Sequence, residues 1–108
     1  MEPGTPIDAI ALRDADNVAT ALRELAAGER VVVGVRERTI AVCVRQLIPF
    51  GHKLALTEIP QGADILKYGE VIGRATQRIP AGTHAHVHNI ESLRGRGDLE
   101  ASGVGHGI

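Results

Sequence analysis

Ile48-Pro49-Phe50-Gly51 runs straight into His52-Lys53, and the same tetrad returns as Ile59-Pro60-Gln61-Gly62 and Ile79-Pro80-Ala81-Gly82. Leu25-Ala26-Ala27-Gly28 is a close variant upstream. Proline presets the second position of a turn, and glycine is favoured at the fourth position of a type I turn. The leading Ile or Leu then reads as the last buried residue before the chain reverses. The spacing between tetrads is unequal, which excludes a solenoid with a fixed period. The pattern predicts a small, tightly folded β unit that turns often.

The length of 108 residues suits one domain with a modest core. Phe50 and Tyr68 are the only aromatic residues besides histidine, so Val, Ile, Leu and Ala must fill that core. A formal charge of −1 and a pI near 6.5 give no electrostatic case for nucleic acid or an anionic membrane as partner. A lone cysteine, Cys43, has no partner for an internal disulfide; lying in the apolar run 40–44, it is expected to be a buried, inert thiol. No apolar run approaches the roughly 18 residues of a membrane helix, and no secretory leader is apparent, so a soluble cytoplasmic protein is expected.

In chain order, residues 1–6 read as a flexible leader, 7–91 as the domain and 92–108 as a flexible glycine-rich tail. Residues 7–12 form a weak first strand. Asp14-Ala15-Asp16-Asn17 reads as a turn and helix N-cap, because Val18, Ala21, Leu22 and Leu25 fall at helical spacing and predict one short helix over 17–26, stopped by Gly28. The β-branched runs 30–35 and 38–44 predict a hairpin across Arg36-Glu37. Further strands are expected at 52–56, at 65–68 and 71–76 on either side of Gly69, and at 83–90.

On an extended strand His84, His86 and His88 share one face, with Ala85 and Val87 on the other. His-x-His pairs of this kind serve as metal ligands, although a solvated polar face would look the same. His52-Lys53, behind a Pro-Phe-Gly turn, offers an imidazole and an ammonium to a carboxylate or to proton transfer; an ordinary polar strand end is the alternative. Lys67-Tyr68 could bind an anion, or the tyrosine could simply cover the core edge. Phosphate loops, nucleophile elbows and paired-cysteine metal sites are missing from the sequence.

Four motifs stand in order across residues 16–91: Asp16-Asn17-Val18-Ala19-x-Ala21-Leu22, Ile48-Pro49-x-Gly51-His52-Lys53-x-Ala55-Leu56, Ile65-x-Lys67-Tyr68-Gly69-x-x-Ile72-Gly73 and His84-x-His86-x-His88-Asn89. Together they closely resemble the SAF domain of the altronate dehydratase family, which includes altronate and galactarate dehydratases and the small subunit of sulfolactate sulfo-lyase. The resemblance implies a compact, mostly β fold of the β-clip type. It also implies a small subunit of a two-component, metal-dependent lyase, inactive without a large catalytic subunit. Such an enzyme eliminates water (or sulfite) from a sugar acid or related hydroxy acid to give a 2-oxo acid. By resemblance, His52 and Lys53 are catalytic, and Lys67, Tyr68 and Asn89 bind substrate. His86 and His88, with His84 as a possible third, face a divalent iron or manganese ion held largely by the partner. The alternatives are a non-catalytic carbohydrate- or anion-binding module and the sulfolactate sulfo-lyase small subunit itself.

Overall fold

The structure, a computed structural model, describes residues 6–93. The expected leader and tail lie almost wholly outside the described residues. Within them the regular elements are strands: β1 (Ala9–Ala11), β2 (Val18–Ala21), β3 (Arg30–Val35), β4 (Arg38–Cys43), β5 (Lys53–Ala55), β6 (Asp64–Lys67), β7 (Glu70–Ala75), β8 (His84–Ala85) and β9 (Ile90–Ser92). Six form one sheet in the order β4-β3-β1-β2-β5-β8, and three form a second in the order β6-β7-β9. Among the described residues no helix is long and apolar enough to cross a membrane.

The tetrads are the frame of this architecture, and they work in pairs. Leu25 and Ile48 exchange both backbone hydrogen bonds (2.8 and 2.9 Å), and Ile59 and Ile79 do the same (2.8 and 2.8 Å). All four side chains are fully buried and stand among the largest apolar groups of the core, as a chain poor in aromatics requires. The turn register differs from expectation by one residue. His52 N–H donates to the Pro49 carbonyl at 3.0 Å, so proline opens the turn and Gly51 occupies its third position at φ +83°. That is the type II pattern, which demands positive φ where the sequence places glycine. Gly82 repeats it at φ +84°.

Three expectations are corrected. Residues 17–26 form no helix: β2 lies between β1 and β5, and Leu25 belongs to the Ile48 pair. The helical spacing of Val18, Ala21, Leu22 and Leu25 arises because β2 is buried on both faces. Ala19 and Ala21 enter one core cluster with Val31, Val33 and Leu54, while Val18 enters the other with Ile59, Ile65 and Ile79. Cys43 is exposed, not buried, since alternation along edge strand β4 turns Ile40 and Val42 inward and Cys43 outward. The last expected strand ends after Ala85: the chain turns over 86–89 and crosses to the second sheet as β9.

Asp16 and Asn17 join the sheets. The Asp16 carboxylate, almost fully buried, accepts hydrogen bonds from the amides of Leu12 (3.0 Å), Arg13 (3.1 Å), Tyr68 (3.0 Å) and Gly69 (2.8 Å). Asn17 accepts from Leu66 N–H at 2.8 Å and donates to the Asp64 carbonyl at 2.9 Å. Burial pushes the Asp16 carboxyl upward, but the four amides outweigh it together and hold it below its ordinary value.

Asp16→Ala strands four amide donors and should lower the unfolding free energy by about 3 kcal/mol in urea melts. Because the folded value is depressed, the stability that Asp16 contributes is present above its ordinary value of 3.8 and is lost as pH falls through the lower folded one. The variant should therefore show a shallower acid limb than wild type, and an unchanged limb would rule out this role. A Cβ at Gly51 meets open space, whereas one at Gly82 collides with the Cys43 carbonyl. Gly51→Ala should then cost about 1 kcal/mol from the left-handed backbone alone. Gly82→Ala should cost clearly more in the same melts.

Candidate functional site

Strand β5 pairs with β8 so that Lys53 faces Ala85 and Leu54 faces His84. One step further along this register, His52 comes opposite His86, with ring centroids 3.8 Å apart and planes 15° from parallel. His52 Nδ1 lies 2.8 Å from His84 Nε2, within hydrogen-bond distance. One ring nitrogen from each of His52, His84 and His86 falls within 4.8 Å of the other two. His88 is exposed and tilts against the His84 ring at 4.8 Å.

The convergence therefore comes from a turn and a neighbouring strand, not from alternation along one strand. Val87, expected to share the face of Ala85 opposite the histidines, is 81% exposed, whereas Ala85 is fully buried. Asn89 makes the turn: its Oδ1 accepts the His86 amide at 2.8 Å, and its Nδ2 donates to the His84 carbonyl at 2.9 Å. It is 4% exposed, and it touches the cluster through the backbone of the histidines. Gln46 Oε1 accepts the His84 amide at 2.7 Å, a contact that no motif in the sequence announces.

Burial pushes the His84 imidazole down to about 4, helped by the positive charge that His88, His52, His86 and Lys53 would place beside it. His86 is lowered for the same reasons, burial first. Both rings are neutral at pH 7 and able to ligate. Among the described residues, His86 Nδ1 is the buried side-chain nitrogen left without a hydrogen-bond partner. Three converging imidazoles, one of them with an orphaned nitrogen, suit a divalent transition ion, so the residues fit the metal that the resemblance implies.

His86 also lines a cleft of about 500 Å³ with Lys53, Lys67, Glu70, Val71 and Ile72. The two lysines thus share one wall-to-wall space although fourteen positions separate them. Burial lowers the Lys53 ammonium, and the charge of Lys67 lowers it further. Tyr68 sits beside the cleft: at φ +55° its hydroxyl bonds Thr20 Oγ1 at 3.0 Å, and its ring lies 5.0 Å from Lys67 Nζ. The apolar lining from β7 was not legible as a site, because Val71 and Ile72 read as ordinary strand residues.

Among the described residues, nine strands carry a histidine cluster beside a lysine-lined cleft. The sequence matches the altronate/galactarate dehydratase SAF domain over residues 7–93, and the chain belongs to that family. It is 47% identical over 77 residues to the altronate dehydratase of Escherichia coli K12, covering 71% of this chain and 15% of that enzyme. The altronate dehydratase of Bacillus subtilis 168 is 40% identical over 83 residues, covering 77% of this chain and 16% of the enzyme. The (2R)-sulfolactate sulfo-lyase subunit alpha of Chromohalobacter salexigens is 41% identical over 59 residues, covering 55% of this chain and 63% of that subunit. The chain thus spans a small fraction of the dehydratases and most of the sulfo-lyase subunit.

Because His84 and His86 are held neutral in the fold but protonate when unfolded, folding loses stability as pH falls from about 6.5. For His84 that loss continues to about 4. In a proton NMR titration the His84 ring should show its midpoint near 4, and His84→Gln should flatten the decline of the urea midpoint over that range. A His84 midpoint near 6.5 would mean that the cluster is open in solution.

Proposed function

We propose that this chain is the SAF component of a two-part, metal-dependent lyase that converts a hydroxy acid of the aldonate class, altronate foremost, into a 2-oxo acid. The observation that supports this most directly is the shared cleft: Lys53, Lys67 and His86 line one space large enough for a six-carbon acid. Burial and the charge of Lys67 lower the Lys53 ammonium, an anion relieves that repulsion, and a carboxylate fits between the two groups. Family membership and the dehydratase relatives supply the reaction class.

In this reading Lys67 holds the substrate carboxylate, with the Tyr68 ring against its ammonium limiting where Nζ can sit. Lys53 Nζ, brought toward neutrality by burial and by Lys67, takes the proton α to the carboxylate. The electron pair of that C–H bond forms the C=C bond while the neighbouring C–O bond breaks, and the departing hydroxide takes the proton back from the Lys53 ammonium to leave as water. The enol then tautomerises to the 2-oxo acid. A divalent ion, when bound, supplies Lewis acidity toward a substrate oxygen. His52 stands at the junction of the cluster and β5, next to Lys53 in sequence, which couples the two halves of the site. A larger catalytic subunit, iron or manganese as the ion and sulfolactate as an alternative substrate all belong to the same proposal.

Co-expression with a large dehydratase chain, followed by 2-oxo acid assays on aldonates, aldarates and sulfolactate, should give turnover that needs both chains. Lys67→Ala should raise KM about tenfold, the effect of one lost charge-assisted contact, while Lys53→Ala should act mainly on kcat. A Lys67→Ala enzyme with unchanged KM would instead favour a non-catalytic anion-binding module.

A further inference from the structure

We infer that this chain by itself carries a set of three metal ligands, His52, His84 and His86, and that His88 is not among them. The inference deepens the metal part of the lyase reading by placing the ligands here and not mainly on a partner. It also exchanges His88 for His52, whose position in the sequence lies 32 residues from the nearest other member of the set.

The geometry separates these rings from the fourth. His52, His84 and His86 are each partly buried, and one ring nitrogen from each lies within 4.8 Å of the other two. Octahedral or tetrahedral ligands at about 2.1 Å from an ion stand some 3 to 3.5 Å apart, within the range spanned here. The 2.8 Å approach of His52 Nδ1 to His84 Nε2 is already close to that spacing. His86 Nδ1 is the buried nitrogen without a partner. His88 is exposed and meets the cluster through the face of His84.

Two further features define the class of ion. The converging set contains no carboxylate, so imidazole alone selects a borderline ion such as Fe²⁺, Co²⁺ or Zn²⁺ over Mn²⁺. Three neutral ligands also leave the full double charge on the ion beside a cleft that holds Lys53 and Lys67, which favours an anionic occupant of the open positions. Asn89 is a positioning residue: it fixes the backbone on both sides of His86 and bonds no ligating nitrogen.

The test is metal binding by the tag-free full chain with neither substrate nor partner. Titration with Co²⁺, read by calorimetry and by its visible absorption, should give one ion per chain. Zn²⁺ should displace it, and Mn²⁺ should bind at least tenfold more weakly. His52→Gln, His84→Gln and His86→Gln should each weaken Co²⁺ binding by tenfold or more, with circular dichroism confirming the fold. His88→Gln and the tail control His106→Gln should change it less than threefold, and Asn89→Ala should weaken it with an altered spectrum. Absence of binding, or His88→Gln matching His52→Gln in effect, would overturn the assignment. Paramagnetic broadening of ring protons by Co²⁺ gives the same answer on the unmutated chain: the His52, His84 and His86 signals should vanish first, and uniform broadening of all five histidines would refute the site. Failure here would leave the lyase reading standing with its ion on a partner, whereas bound metal without turnover would count against the lyase reading alone.

Discussion

A single buried carboxylate holds the two sheets of this domain in register. Asp16 receives four backbone amides, two from the loop after β1 and two from the β6–β7 turn. A charge so placed is tolerated because both oxygens accept N–H groups, three at Oδ2 and one at Oδ1; removing the acid would expose donors that have no other partner. The contact also explains two unusual backbones. Tyr68 takes a left-handed φ of +55° and Gly69 one of +83°, and that curl is what points both amides at Asp16. The cost of the strained tyrosine is offset by an ion–amide contact, and the same curl sets Lys67 over the ring that limits its motion.

From that clamp the candidate site follows. With β6 and β7 docked, Lys67 on the second sheet meets Lys53 on the first across the cleft, and the 86–89 turn has a fixed gap to cross. Neither lysine nor histidine is placed by its own strand alone. The site exists at the seam, so its precision depends on the docking of two cores that pack small aliphatic groups.

Much of this was legible in the sequence, and the failures share one cause. The tetrads announced buried Ile and Leu at tight reversals, the 30–44 hairpin followed from its β-branched runs, and the ordered motifs named the family. Spacing failed where a segment answers to two surfaces at once. Val18 to Leu25 has helical periodicity because β2 feeds both cores, and periodicity cannot tell two buried faces from a helical stripe. His84 to His88 looks like one face of a strand, yet Asn89 bends the chain there by capturing the His86 amide and the His84 carbonyl. The contribution of His52 to the cluster depends on the β5–β8 register, a long-range pairing that no local pattern encodes.

The reciprocal pairing of the tetrads extends beyond their leading residues. In each tetrad the glycine amide donates to a residue that stands four places ahead of the partner tetrad, Val44 for Gly28, Ala21 for Gly51, Ala75 for Gly62 and Ala55 for Gly82, and that residue's own amide donates to the carbonyl just after the glycine, on Glu29, His52, Ala63 and Thr83. Mutual exchange of this kind is the contact that two copies of one segment make about a twofold axis. The domain thus holds two units of the same local twofold form, 25–28 with 48–51 and 59–62 with 79–82. The candidate site lies where that symmetry is broken: the position after the glycine is Glu29, His52, Ala63 and Thr83 in turn, and only the second is a histidine.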